Sequence, residues 1–92
     1  MKIIKEHIDN NIESIEIISA QYIEGYSIKL IFSDGFNRVV NFKSFLEHSL
    51  HPSIRKYLDM EKFRNFKIID GNINWNDYDM IFPIWDLHEG KI

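Results

Sequence analysis

The chain contains no cysteine, and this absence excludes a disulfide framework and any thiolate chemistry. It also fits a protein that works in a reducing compartment. No apolar run approaches the roughly 20 residues that a membrane span requires, and charge appears within the first residues, which is not typical of a signal peptide. We therefore predict a cytoplasmic protein with no membrane partner.

The sequence also lacks the compact motifs that carry many kinds of catalysis. It has no glycine-rich phosphate loop, no G-x-S-x-G nucleophile elbow and no zinc-binding pattern. We therefore expect no cofactor, no metal site and no catalytic residue. The chain is not expected to be an enzyme.

What the sequence does contain is enough apolar material for one core. Of its 92 residues, 45% are hydrophobic and 14% are aromatic, so a single domain can pack without further help. We assign residues 15–92 to one α+β domain. In residues 1–14, isoleucines recur at helical spacing while Asn10-Asn11 interrupts them like a turn. We predict an N-terminal arm or a short helix there.

A hairpin across residues 26–42 is the clearest structural signal in the chain. Every second residue from Tyr26 to Phe32 is apolar, and this period of two indicates a half-buried strand. Asp34-Gly35 follows, and Asp-Gly is the pair that most strongly marks a tight two-residue turn. The pattern predicts two antiparallel strands joined there, with Gly35 at positive φ.

A strand before this hairpin completes a three-strand meander. Residues 15–23 are rich in β-branched residues, which favours a first strand. Its predicted inner face is formed by Ile18, Ala20 and Tyr22. Glu24-Gly25 then turns the chain into the second strand.

Short helices are predicted after the third strand. Ser44 and Glu47 have the spacing of a capping box, which predicts Ser44 as a helix N-cap. Pro52 ends that helix and suits the first turn of the next one. Asp59 can cap a third short turn.

Strand signals return after the helices. Residues 66–69 and 73–75 flank the turn-forming residues Asp70-Gly71-Asn72, which predicts a second short hairpin. Residues 76–79 form a polar loop, and a helical turn near Ile84 covers the core. The predicted fold class is therefore α+β, with a small antiparallel sheet built from a three-strand meander, a short helical insert and a second hairpin. The helices are expected to pack on one side of that sheet.

Several short motifs resemble, in order and spacing, those of a known family. They are Phe32-Ser33-Asp34-Gly35, Arg38-Val39-Val40, Phe45-Leu46, Asp59 followed by Phe63, Gly71-Asn72-Ile73-Asn74-Trp75, Asn76 and Asp79. The chain resembles the bacterial family catalogued as domain of unknown function 2442. The resemblance implies helices inserted between the third and fourth strands of an antiparallel sheet, and no established activity. It also implies a small-protein partner, because some relatives are encoded beside other small genes in toxin–antitoxin-like pairs.

The charge is segregated along the chain although its net value is only −3. Residues 36–69 carry seven lysines or arginines against three acids, whereas the segments on either side are acidic. A basic block of this kind is either a solvated helical face or a footprint for an anionic partner. Together with tryptophans, which are enriched at interface hot spots, it suggests a partner surface made of Trp75, Trp85, Arg55, Lys56, Lys62 and Arg64.

Two further clusters have both a functional and a structural interpretation. His48 and His51 could share a helix face as metal ligands, but no third ligand is identifiable, and a helix dipole explains a histidine near a C-terminus. Acids and a histidine near the two tryptophans could support acid–base chemistry, or they could simply form turns. This second cluster contains Asp77, Asp79, Asp86, His88 and Glu89.

The leading hypothesis is a non-enzymatic protein-interaction module. Its partner would be another small protein or a second copy of the chain, and unpaired strand edges offer one way to bind it. The first alternative is a nucleic-acid-associated regulatory protein that uses the basic block and exposed aromatic side chains. The second is an enzyme that uses the acidic C-terminal loop.

Overall fold

Two three-stranded antiparallel sheets form the framework in the computed structural model, which describes residues 15–92. The first sheet contains β1 (Ile17–Glu24), β2 (Ser27–Phe32) and β3 (Asn37–Asn41), and the second contains β4 (Phe66–Ile69), β5 (Asn72–Trp75) and β6 (Met80–Ile81). The α+β class, with a meander followed by a second hairpin, is confirmed. The predicted arm or helix at residues 1–14 lies outside the described residues.

A run of short helices lies between the third and fourth strands, as predicted, and it joins two sheets where the sequence predicted one. We call residues 43–63 the helical insert; it contains α1 (Lys43–His48), α2 (Pro52–Arg55), a 3₁₀ turn (Lys56–Leu58) and α3 (Met60–Phe63). Pro52 occupies the first turn of α2, and His51 before it is extended, as the sequence predicted. A last helix, α4 (Ile84–Glu89), follows β6. Within residues 15–92, none of the helices has the length and apolar character needed to cross a membrane.

The first hairpin has a longer turn than predicted. A two-residue type I′ turn needs positive φ at both central residues, but of Asp34 and Gly35 only the glycine has it, at +89°. The Gly35 N–H donates to the Phe32 carbonyl at 2.9 Å, and the Phe36 N–H donates to Asp34 Oδ1 at 3.0 Å. Gly35 is thus the last residue of a three-residue loop. The second hairpin has the shorter turn, because Asp70 and Gly71 both have positive φ, at +52° and +80°.

A β-bulge changes which face of β1 is buried. Ile17 lies opposite Phe32 and Ser19 opposite Ile31, so Ile18 is left without a cross-strand partner. Ile17 is therefore buried, whereas the side chain of Ile18 is 63% exposed. The prediction for Ile18 was wrong, because alternation fails at an extra residue. Ala20 and Tyr22 pack against the core as expected.

The predicted capping box is wrong. Helix α1 begins at Lys43, with Phe42 at the N-cap position, and Ser44 therefore lies inside the helix. Asn41 Oδ1 accepts a hydrogen bond from the Lys43 N–H at 2.9 Å instead. The start of α1 is shifted because the Phe42 side chain is fully buried. The predicted cap at Asp59 is confirmed, since its Oδ1 accepts from the Glu61 N–H at 3.0 Å.

Trp75 lies at the centre of the core. Its side chain is fully buried, and the indole N–H donates to the Phe63 carbonyl at 2.7 Å, which satisfies the polar atom of this large apolar group. The rings of Phe42, Phe63 and Phe82 have centroids 5.5–6.1 Å from the indole. The inner face of the first hairpin joins this core, with Ile28, Leu30 and Phe32 fully buried.

Substitutions at Ser44 and Asp59 directly test where the two helices begin. Replacing Asp59 by Ala should lower the free energy of unfolding by about 1 kcal/mol, because an N-cap acceptor is lost. Replacing Ser44 by Ala should change it by less than about 0.5 kcal/mol, because Ser44 caps nothing. Urea denaturation of the two variants measures both values. An equal loss in the Ser44 variant would contradict this account of α1.

The two turn glycines differ in their surroundings, which predicts different costs for the same substitution. Gly35→Ala should lower the free energy of unfolding by about 1–2 kcal/mol through left-handed backbone strain alone, since a Cβ there meets nothing within 4 Å. Gly71→Ala should cost more, because its Cβ would lie 2.7 Å from Glu16 Cγ. In a Glu16→Ala background, which keeps only the Glu16 Cβ at 3.0 Å, urea denaturation should show a smaller difference between the two glycine costs. A Gly71 cost that is independent of Glu16 would refute the steric explanation.

Candidate functional site

Three polar side chains meet where the helical insert contacts the loop between β5 and β6. Lys56 and Tyr57 belong to the 3₁₀ turn, and Asp79 ends the loop. Asp79 Oδ2 accepts a hydrogen bond from the Tyr57 hydroxyl at 2.8 Å and lies 2.7 Å from Lys56 Nζ. The structure therefore joins a lysine of the basic block to an acid of the C-terminal segment.

These contacts set the protonation states of the tyrosine and the carboxylate. Burial, reinforced by the hydrogen bond to Asp79, raises the pKa of Tyr57 to about 12. The hydrogen bonds from Lys56 and then from Tyr57 hold the pKa of Asp79 below its usual value. At neutral pH the phenol is therefore a hydrogen-bond donor, and the carboxylate is ionised. Neither group is poised to exchange a proton.

The loop beside this cluster has a costly backbone conformation. Asn76, Asp77 and Tyr78 have φ values of +50°, +56° and +73° in succession. Asparagine and aspartate tolerate the left-handed region, but a tyrosine rarely adopts it. The Tyr78 N–H donates to Asn74 Oδ1 at 3.3 Å, and the Tyr78 hydroxyl donates to Asp70 Oδ2 at 2.7 Å. These bonds hold the loop, and hence Asn76, against the second hairpin.

A pocket of about 230 Å³ lies between the insert and this loop. Its lining consists of Lys56, Tyr57, Lys62, Asn65 and Asn76. Lysines and amide groups donate hydrogen bonds, and none of the five side chains is a carboxylate. Lys62 Nζ lies 3.5 Å from Asp59 Oδ2, an exposed pair that solvent and salt weaken. This arrangement suits an anionic or hydrogen-bond-accepting group.

Two other residues of the predicted partner surface have structural contacts. Arg55 Nη1 donates to the Glu47 carbonyl at 2.8 Å and lies 3.4 Å from the Ser49 carbonyl oxygen. It thereby braces the connection between α1 and α2, where the Leu50 side chain is 92% exposed. The Arg64 guanidinium lies over the Tyr22 ring, with Cζ 4.5 Å from the ring centroid.

The two tryptophans do not form a joint surface. Trp75 is fully buried, so its assignment to a partner surface was wrong. On β5 its side chain points to the same face as the buried Ile73, and that face packs into the core. Trp85 is partly buried on α4, and its ring centroid lies 5.1 Å from that of His88.

The predicted acidic cluster is divided among separate contacts. Asp79 binds the insert, whereas Glu89 Oε1 lies 3.0 Å from Lys91 Nζ. His88 Nε2 lies 3.0 Å from Asp34 Oδ2, and the His88 ring packs on Phe32 and Phe36. His88 thus attaches α4 to the turn of the first hairpin. These acids do not act as one group.

The predicted histidine pair and the predicted nucleic-acid surface are also not formed in the structure. His48 is the last residue of α1, and His51 has an extended backbone beyond it, so the two histidines share no helix face. Among residues 15–92, no three candidate ligands are close enough to hold a metal ion. Tyr57 and Phe63, which a nucleic-acid interface would need for stacking, are buried.

Asn65 and Asn76 are the pocket residues that sequence reasoning missed. Asn76 had a usable signal, because Asn-Asp pairs favour left-handed turns. Asn65 had none, since a single polar residue after a short helix is common. Only the packing of the insert on the second sheet brings the two amides into one pocket.

Comparison with known proteins assigns this architecture to a family without assigning an activity. The family model described as "Protein of unknown function (DUF2442)" matches residues 17–92. No curated protein and no solved structure matches the chain. The matched region contains both sheets, the helical insert and the pocket.

The raised pKa of Tyr57 predicts a loss of stability in alkali. The unfolded-state phenol titrates near 10 and the folded-state phenol near about 12. This contribution is therefore complete below pH 10 and is lost as the pH rises through 12. Above pH 10 the free energy of unfolding should fall with rising pH. Tyr57→Phe should make this decline shallower by up to about 1.4 kcal/mol per pH unit, which corresponds to one proton.

Urea denaturation at a series of pH values measures this slope. Asp79→Asn should reduce the slope only in part, because burial still disfavours the ionised phenol. Asp77→Asn is the matched control, since Asp77 is not among the groups that perturb Tyr57. An alkaline slope that is the same in the wild-type and Tyr57→Phe proteins would refute the assignment.

Proposed function

The chain belongs to the DUF2442 family of proteins of unknown function, and we propose that it is a non-enzymatic protein-interaction module. The proposal places the contact surface on the helical insert. The observation that carries it is the pocket in which Lys56 and Lys62 of the insert meet the amides of Asn65 and Asn76. Such a group of donors can bind a partner without transforming it.

The titration state of the pocket supports a binding role over a catalytic one. A general base or nucleophile needs a pKa near the working pH. The pKa of Tyr57 is shifted away from neutral pH, and Asp79 is ionised and held by the side chains of Lys56, Tyr57 and Asn76. An enzyme that uses the acidic C-terminal loop has no support from these contacts, because they divide the loop's acids.

Leu50 gives the insert an apolar contact for a partner. Single exposed apolar side chains are common on protein surfaces and need no explanation by themselves. Leu50 differs in its support, because Arg55 of α2 donates to the carbonyls of Glu47 and Ser49, which both precede Leu50 in the chain. The His51 N–H also donates to Ser49 Oγ, at 3.2 Å. A braced backbone segment loses little entropy when it becomes part of an interface.

The proposed partner is another small protein or a second copy of the chain. A toxin–antitoxin-like pair in a bacterial cytoplasm is the biological setting that we propose. Nucleic acid is the weaker alternative, because the basic side chains are mixed with acids. Lys56 is paired with Asp79, and Asp59 lies beside Lys62. Phosphate-driven binding requires a more uniform positive surface.

The test is co-expression of the chain with the product of its neighbouring gene, together with the chain alone, followed by light scattering during gel filtration. We expect one complex of fixed stoichiometry, either a heteromer or a homodimer. Leu50→Asp should weaken it by at least about tenfold, because a charge would be buried in the interface. Circular dichroism checks that the variant is folded.

Val39→Asp is the matched control for this substitution. Val39 is also an exposed apolar residue, at 56%, but it lies on β3 in the first sheet. It should leave the complex intact. Loss of the complex only in the Val39 variant would move the interface from the insert to the sheet. A chain that stays monomeric and binds no neighbouring product would refute the module itself.

A further inference from the structure

We propose that the pocket between the insert and the β5–β6 loop accepts one carboxylate side chain of an acidic protein partner. This inference rests on the proposed function and specifies its chemistry. The pocket is defined by Lys56, Tyr57, Lys62, Asn65 and Asn76.

The functional groups of the pocket match a carboxylate. A carboxylate only accepts hydrogen bonds, and the ammonium groups of Lys56 and Lys62 only donate them. The side chain of Asn65 supplies a further amide, while that of Asn76 is hydrogen-bonded to Asp79 at the pocket edge. Hydrogen bonds between charged partners are about twice as strong as neutral ones, which favours an ionised acid over its amide.

The size of the pocket suits one small group. Its volume is about 230 Å³, below the range of roughly 300–1,000 Å³ that is typical of pockets for drug-sized ligands. A single aspartate or glutamate side chain is a small group of this kind. A nucleotide is of drug size and exceeds it. The pocket is therefore a contact within a larger protein interface.

Acids around the pocket discriminate against polyanions. Asp79 lies 2.7 Å from Lys56, and Asp59 lies 3.5 Å from Lys62. Glu61 lines a neighbouring depression together with Arg64 and Asn65. A strand of phosphates would meet these negative charges, whereas one carboxylate can enter between them. The mixed border thus favours a protein over a nucleic acid.

The geometry of the pocket is set before any ligand binds. Tyr57 is anchored in the core beside Trp75, with ring centroids 6.4 Å apart. The left-handed run at residues 76–78 holds Asn76 in place through the hydrogen bonds of Tyr78. Strained backbone that is held by its surroundings is typical of functional sites, and preorganised donors bind at a lower entropic cost.

A titration of the isotope-labelled full chain tests this assignment by NMR. The probe is the capped peptide acetyl-Gly-Gly-Glu-Gly-Gly-amide, and its counterpart with Gln in place of Glu is the reference. We expect the Glu peptide to shift the side-chain amide signals of Asn65 and Asn76 saturably at millimolar concentration. The Gln peptide should bind at least about tenfold more weakly, because the charge-assisted bonds are lost.

Lys62→Met is the main variant, because within residues 15–92 the Lys62 side chain has an exposed ion pair as its one polar contact, and its loss should not disturb folding. It should weaken binding of the Glu peptide by at least about tenfold. Lys43→Met removes the same charge from α1, outside the pocket, and should leave the affinity unchanged. Equal shifts with the Glu and Gln peptides, or an unchanged affinity in Lys62→Met, would overturn the proposal.

Two further outcomes separate this inference from the proposed function. Shifts with inorganic phosphate but not with the Glu peptide would identify a small-anion site and overturn the carboxylate assignment. A partner complex that is unaffected by Lys62→Met would overturn the role of the pocket and leave the interaction module standing. If the pocket binds the Glu peptide but the chain forms no partner complex, the carboxylate site stands and the interaction module is overturned.

Discussion

Burial of the Trp75 indole is the interaction on which the other elements depend. The indole N–H donates to the carbonyl of Phe63, so the end of the helical insert is attached directly to β5. The aromatic rings around it come from several separate parts of the chain: Phe42, Tyr57, Phe63, Phe66 and Phe82. Loss of a buried aromatic side chain typically costs about 3–5 kcal/mol, a large share of the stability of a small domain.

The candidate site is built on the outer side of that core. Tyr57 places its ring near Trp75 and directs its hydroxyl to Asp79, so one residue serves both the packing and the pocket. Asp79 in turn holds Lys56 at the edge of the pocket. In a domain with so small a core, the same side chains contribute both to packing and to the pocket. Lys56 and Tyr57, which line the pocket, therefore also make stabilising contacts.

Sequence reasoning succeeded where structure is decided locally. The alternating face of β2, the Asp59 cap and the break before Pro52 follow from the residues and their immediate neighbours. It failed where packing overrides a local rule. Ser44 is not the N-cap of α1, because burial of Phe42 shifts the start of the helix. Ile18 points outward because a β-bulge interrupts the alternation of β1. Trp75 was predicted to lie at an interface, but aromatic residues from the insert and from both sides of it enclose the indole.

What the sequence determined by itself is the order of the elements and the α+β class, because periodicity and turn chemistry act over a few residues. The family resemblance drew on the same local motifs, and the match over residues 17–92 confirms it. Tertiary structure alone decided which distant charges meet. Lys56 and Asp79 are 23 positions apart in the sequence, and only packing around Trp75 brings their side chains within 2.7 Å. A pocket depends on such distances, and a linear charge pattern contains no information about them.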